Sequence, residues 1–248
     1  LYNGIKDLPI YSPHGHCDPE WFAEDTQFDN PAALLITPDH YVLRMLVSQG
    51  VAMEDLGIPR LDGGPVETDS RTIWRRFAEH YYLFCGTPTR LWLDYTLSSL
   101  FGVSEPLNAR TADDAYDRID DCLKQEEFRP RALFERFNIE VIATTEGALD
   151  PLDEHRAIRE SSWSGRVVTT YRPDSVIDPD FEGFGEALDQ LGNLTGCDTG
   201  TWAGYLEAHR TRRAYFRQMG ATATDHGLSS AQTANMASQE AAALFERN

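Results

Sequence analysis

The chain has 248 residues, enough to bury a full core as one α/β domain or as two smaller ones. Its composition, 41% hydrophobic, 25% charged and 11% aromatic, is that of a globular protein, and no stretch approaches the roughly 20 consecutive apolar residues of a membrane span. A formal charge of −18 repels nucleic-acid phosphates and anionic membranes, so neither is expected as a partner, and an acidic small substrate would need a local cationic anchor.

In chain order, LPIYSPH (8–14) reads as a short buried strand that runs into His14 and His16. On a strand, residues i and i+2 face the same way, with Cα atoms about 6.5–7 Å apart. Two such imidazoles can share one divalent metal, and zinc would sit at about 2.0–2.1 Å from each. Gly15 leaves the opposite side uncrowded. The alternative is a pair of ordinary polar residues at a strand end. Cys17 comes next, but alternation turns it away from the histidines.

Helical signals dominate the next hundred residues. DNPAALLI offers Asp29 or Asn30 as an N-cap with Pro31 at the first helical position. PDHYVLRMLVSQGV reads as an amphipathic helix closed by Gly50. DSRTIWRRFAEHYYLF, TPTRLWLDYTLSSLFGV and ADDAYDRIDDCL continue the helical pattern. Trp74, Trp92 and the Tyr81–Tyr82 pair fall on apolar helical faces and are expected in the core. The rhythm changes near residue 138. NIEVIATTE (138–146) and GRVVTTYRPD (165–174) are β-branched runs, with a helix over 151–160 between them. A helix over 201–220, a short strand ATATDHG (221–227) and a final helix over about 229–246 complete the order.

Strand, helical insert, then alternating strands and helices imply a parallel sheet. In such sheets, site groups collect at the carboxyl ends of the strands. Here those ends carry His14 and His16; Thr144, Thr145 and Glu146; Tyr171, Arg172 and Asp174; and Asp225 with His226. The expected organisation is a first strand with the histidine motif (1–19), a helical insertion (20–136), and strands two to four with their helices (137–248). None of the four cysteines forms a C-x-x-C pair, which suits reduced thiols in a cytoplasmic protein. No basic-then-apolar signal peptide opens the chain, although a start at Leu1 leaves room for a short leader.

The stretches PIYSPHGHCDP, TPDHYVLRMLVSQGV, GTPTRLWLDYTLSSLFGV, VIATTEGALDPLDEH, TTYRPD and GATATDHGL, in this order, resemble the uronate (glucuronate) isomerase family of the amidohydrolase superfamily. The D-H-Y-x-x-R and Y/W-R-P-D stretches are its more specific marks. Two departures stand out: Ser12-Pro13 where the family commonly has an acidic residue, and TTEGALDP where it usually reads T-T-D-D-P.

The resemblance implies a TIM-like (β/α)8 metal-dependent barrel with an all-helical insertion after the first strand. Four strands are counted where a barrel needs eight, so what resembles the family is its first half. The distal metal-ligand aspartate and a further histidine expected of the family lie outside these residues. The implied reaction is the aldose–ketose isomerisation of a sugar acid, glucuronate to fructuronate or galacturonate to tagaturonate, through an enediol. His14 and His16 would hold a divalent metal, zinc before manganese. His40 and Tyr41 would reach the substrate as the first candidates for proton transfer, with Asp225 a further pocket carboxylate. Arg172, whose planar fork suits a carboxylate, would anchor the sugar acid, and Arg44 would contact or orient. A homo-oligomer is expected. His80, His155 and His209 sit within helical patterns, carry no motif and are read as surface or core, and His226, on the other side of its strand from Asp225, is read as structural. The rival readings are a hydrolase activating water with the same metal, and a non-catalytic half-chain.

Overall fold

The computed structural model describes residues 2–227, 230 and 233–246. Its helices are α1 (Pro19–Glu24), α2 (Pro31–Leu35), α3 (His40–Val47), α4 (Ser70–Glu79), α5 (Pro88–Tyr95), α6 (Ala112–Leu123), α7 (Pro130–Arg136), α8 (Asp153–Glu160), α9 (Phe184–Thr195), α10 (Trp202–Gln218) and α11 (Ser238–Phe245). The strands are β1 (Ile10–Ser12), β2 (Ile139–Gly147) and β3 (Arg166–Arg172). The chain divides into a sheet unit, Leu1–Asp25 with Phe134–Asn248, and a helical unit, Thr26–Leu133.

Local chemistry starts most of the helices. The side chains of Asp18, Asn30, Asp39, Asp69, Thr87 and Thr201 each accept from a backbone N–H in the first turn of the helix that follows. Proline occupies the first turn of α1, α2 and α5, where its missing N–H costs nothing. Between Asp29 and Asn30 the structure chooses Asn30, whose Oδ1 takes the Ala33 N–H at 2.9 Å. Gly50 follows α3 at φ 84°, a conformation that L side chains rarely adopt.

In the sheet unit the strands run parallel in the order β1-β2-β3. Val141 pairs with Arg166 and Gly147 with Arg172, while the β1–β2 register shifts between Ile10 and Tyr11. Ile142 and Val167 pack with Ile158 of α8, Phe22 of α1 and Phe134 of α7 in one apolar cluster. Cys17 packs against that cluster, and burial pushes its thiol pKa up. A second cluster joins Tyr171 to Leu191 of α9 and to Ala208 and Phe216 of α10.

The fourth expected strand is shorter than the sequence suggests. Over 221–227 only Thr224 bridges to Tyr171, flanked by hydrogen bonds from Tyr171 N to Ala223 O and from Asp225 N to Tyr171 O. With β3 as its pairing partner and so few bonds, the segment lies parallel to the sheet without extending as a ladder. Of the final helix expected over 229–246, α11 is present; residues 230 and 233–237 are irregular, and 229, 231 and 232 lie outside the described residues.

The helical unit has one core, in which Ile36, Leu46, Trp74, Phe77, Tyr81, Phe84 and Ile119 are wholly buried. Two expectations fail here. Trp92 is 65% exposed and Tyr82 60% exposed. Adjacent residues point about 100° apart on the α-helix α5 and about 120° apart in the 3-10 turn Tyr81–Phe84, so burying Leu93 turns Trp92 out and burying Tyr81 turns Tyr82 out. No helix among the described residues is long and apolar enough to cross a membrane.

Candidate functional site

β1 stops at Ser12, and Pro13, which has no N–H to donate, separates it from the histidines. His14 and His16 therefore lie just past the strand rather than within its alternation. Their rings nevertheless come together, with centroids 5.0 Å apart and planes at 87°. Thr145 of β2 fastens this segment. Its hydroxyl donates to Gly15 O at 2.9 Å and makes a long 3.5 Å contact with His14 Nδ1. With its hydrogen given to Gly15, the Thr145 oxygen faces that nitrogen as an acceptor. Two imidazoles supply two positions of the set a zinc ion takes. Among the described residues, no group of three or more His, Cys, Asp or Glu gathers to hold a metal.

Arg172 ends β3 and is tied on two sides. Its Nε donates to Asp174 Oδ2 at 2.7 Å, and its Nη1 lies 3.2 Å from Asp225 Oδ2. The structure thus brings the expected carboxylate anchor and the expected pocket carboxylate into direct contact. It also realises the ion pair to Asp174 that the sequence offered as the simpler use of Arg172. Burial alone would raise the Asp174 pKa, but the Arg172 guanidinium and the Gly227 N–H outweigh it and hold the carboxyl below its ordinary range.

Glu146, also at the end of β2, points to the opposite face of the sheet from Thr145. It is buried against Thr169, whose hydroxyl donates to Oε2, and lies 3.6 Å from His155 Nε2. His155 is wholly buried, with Nε2 2.9 Å from Thr144 Oγ1. Thr144 donates to Val168 O at 3.3 Å, so Nε2 is the protonated nitrogen and donates to the threonine. Burial pushes His155 down to about 4 and pushes Glu146 up. The loop after β2, where the sequence leaves the T-T-D-D-P pattern, carries Leu152 at φ 59°. The buried guanidinium of Arg212 holds that loop through Ala148 O at 2.8 Å and Asp150 O at 2.7 Å.

The helical unit carries the D-H-Y-x-x-R motif. Asp39 is the cap of α3, its Oδ1 accepting from Tyr41 N at 2.8 Å and Val42 N at 3.3 Å. His40 and Tyr41 are exposed side by side, ring centroids 4.2 Å apart. The Arg44 guanidinium lies 5.8 Å from the Tyr41 ring, one turn on. Val42, Leu43 and Leu46 take the buried face, which leaves all three polar groups outward. Of the other histidines, His155 is core, while His209 is half-buried with Nδ1 3.1 Å from Tyr171 OH. Sequence reasoning passed over the tether from Thr145 to the histidine segment, and weighed Asp174 only as a competitor for Arg172. A backbone oxygen as partner leaves no motif, and the proximity of residues 174 and 227 depends on how the chain returns to the sheet.

A parallel α/β protein that gathers paired imidazoles, an arginine and carboxylates just beyond its strand ends has the layout of an enzyme of that class. The family model for glucuronate isomerase matches residues 1–248. The chain is 68% identical over 247 residues to the uronate isomerase of Mesorhizobium japonicum and 62% identical to that of Rhizobium meliloti, covering all of this chain and 53% of each relative. A crystal structure of glucuronate isomerase from Caulobacter crescentus matches with a TM-score of 0.94 at 51% identity, over 99% of this chain and 51% of that one. The uronate isomerase of Thermotoga maritima matches at 0.89 and 27% identity, over 99% and 52%. The chain belongs to the glucuronate isomerase family, and it spans about half the length of the curated relatives it matches.

Proposed function

We propose that the protein of which this chain is part or whole is a uronate isomerase, interconverting aldose and ketose forms of a hexuronate. The observation that carries this is the family match along all 248 residues, at 68% identity to a uronate isomerase. The parallel order β1-β2-β3, extended by the bridge at Thr224, supports reading the sheet unit as the opening strands of a (β/α)8 barrel.

In this reading Arg172 answers the anchoring problem set by the −18 charge. Its fork receives the substrate carboxylate, with Asp225 beside it. His14 and His16 hold a divalent metal, zinc suiting imidazole, which when bound stabilises negative charge on a sugar oxygen. The proton work falls to Tyr41 with its neighbour His40, and Arg44 orients the tyrosine. The C2–H bond breaks, its electron pair forms the C1–C2 double bond, and the aldehyde oxygen gains a proton. The resulting enediol then loses the O2 proton as the C2 carbonyl forms, and C1 takes a proton.

The test is turnover of D-glucuronate and D-galacturonate by the full gene product in deuterated water. The ketose should carry solvent deuterium at C1, to the extent that the relay exchanges before redelivery. Tyr41→Phe should lower kcat by about 10²–10⁴-fold with binding little changed, the range for loss of a general acid or base. Cleavage of a lactone or amide with no isomerisation of any sugar acid would overturn the reading.

A further inference from the structure

Asp174 does more than neutralise Arg172. Its two carboxylate oxygens join chain segments 53 residues apart: Oδ2 takes the Arg172 Nε–H at 2.7 Å, and the Gly227 N–H reaches Oδ1 at 3.1 Å and Oδ2 at 3.0 Å. Any side chain at Gly227 would have to push the Arg172 and Asp174 side chains aside. A Cβ there would stand 2.5 Å from Arg172 Nη2 and 2.7 Å from Asp174 Oδ2. The glycine therefore lets the backbone after the Thr224 bridge close over the guanidinium. Asp225, two residues earlier, takes Nη1 at 3.2 Å. Both the Nε edge and one Nη of Arg172 are thus fixed from the same returning segment or from a residue bonded to it.

We propose that Asp174 and Gly227 form a clamp that presets the Arg172 fork, making Asp174 a positioning residue for the group that receives the substrate carboxylate. The proposal rests on the role given to Arg172 above. A free arginine side chain loses several rotors on gripping a ligand, and a guanidinium already fixed at Nε has lost most of them before the ligand arrives. Because the carboxylate stays charged through the reaction, the grip acts equally on ground and transition states. Its loss therefore falls on KM rather than kcat.

The experiment compares Asp174→Ala, the milder Asp174→Asn, Gly227→Ala, Arg172→Met and the Asp174→Ala/Arg172→Met double variant in the full gene product. Asp174→Ala should raise KM for the hexuronate about tenfold or more, the scale of a lost charge-assisted hydrogen bond, and Gly227→Ala should raise it in the same direction. In the Arg172→Met background, Asp174→Ala should add nothing, because the residue acts through the arginine. The same factor appearing in both backgrounds would overturn the clamp. A second readout needs no turnover: the Arg172 Nε–H resonance of 15N-arginine-labelled protein should be protected from exchange in the parent, lose that protection in Asp174→Ala, and keep part of it in Asp174→Asn, whose amide oxygen still accepts. A resonance unchanged in Asp174→Ala overturns the clamp. If no hexuronate is turned over by the parent, the functional reading fails, and the resonance alone decides the clamp.

Discussion

The two units solve the problem of burial differently. Among the described residues, the buried polar and charged side chains are Thr144, Glu146, His155, Thr169, Thr170, Thr199 and Arg212, and all of them belong to the sheet unit. The helical unit buries one continuous apolar core and keeps its charges outside, as in the Arg71–Asp117 pair at 2.5 Å and the Arg75–Asp113 pair at 2.9 Å. Exposed pairs of this kind contribute little. Buried polar groups, by contrast, must be satisfied by partners and shift their protonation when they are not. The helical unit should therefore answer mainly to volume, and the sheet unit to protonation as well. The candidate chemistry of the helical unit is confined to the outward face of α3, which the core can support without being part of it.

The largest expected effect tests the apolar side of this contrast. Phe77 is wholly buried, with ring centroids 5.6 Å from Trp74, 5.2 Å from Tyr81 and 5.7 Å from Phe84. Phe77→Ala should cost about 3–5 kcal/mol in equilibrium denaturation, the lost transfer energy plus the cavity left behind. The cost should be nearly the same at pH 7 and pH 5, because no histidine or carboxylate is among the buried residues of that cluster. A cost below about 1 kcal/mol would mean that the core is not what holds this unit together.

Protonation should separate the sheet unit from the helical one. Folded His155 titrates near 4, because it is buried, against 6.5 for an exposed histidine. Between those values the unfolded chain takes up a proton that the folded one refuses. Stability is therefore full above pH 6.5 and falls as the pH drops toward 4, by at most about 3 kcal/mol. Glu146 works the other way. Burial raises its folded pKa, so as the pH falls through that value the folded state gains a proton before the unfolded one does, and stability rises. Glu146→Gln should remove the compensation and make the loss between pH 6.5 and 4.5 steeper than in the parent. His155→Gln should make it shallower. Denaturation midpoints at several pH values in this window give the comparison, and the opposite ordering would remove the buried pair as the source of pH dependence.

What was legible in the sequence follows the same division. Periodicity located nearly every helix of the helical unit, since an apolar stripe and a cap are local features. It could not say which of two adjacent aromatics turns inward, as Tyr81–Tyr82 and the exposed Trp92 show. In the sheet unit the β-branched runs marked β2 and β3, and the strand-end rule collected His14, His16, Thr145, Arg172 and Asp225. The shortness of β1 and of the segment around Thr224 was not legible, because strand length depends on what pairs alongside. Nor was the burial of Glu146 with His155. Nine residues apart in sequence, they meet only because α8 folds back onto β2.

The smallest effect resolves an ambiguity that the sequence left open at the start of α2. Asp29 and Asn30 are both good caps by residue type, and Pro31 fits the first helical position after either reading frame is settled. The structure gives the cap to Asn30, extended at φ −168° and ψ 166°, with Oδ1 2.9 Å from Ala33 N, while Asp29 is exposed. Asn30→Ala leaves that N–H without its side-chain partner and should cost about 1 kcal/mol. Asn30→Asp keeps an acceptor oxygen and places negative charge at the positive end of the helix, so it should fall within a few tenths of a kcal/mol, about the spread among good caps. Asp29→Ala should change little, since its side chain bonds to no N–H of that turn. Chemical denaturation of the three variants distinguishes the residues. A cost at Asp29 with none at Asn30 would move the start of α2 back by one residue, and with it the direction in which Pro31 and Ala32 enter the apolar core.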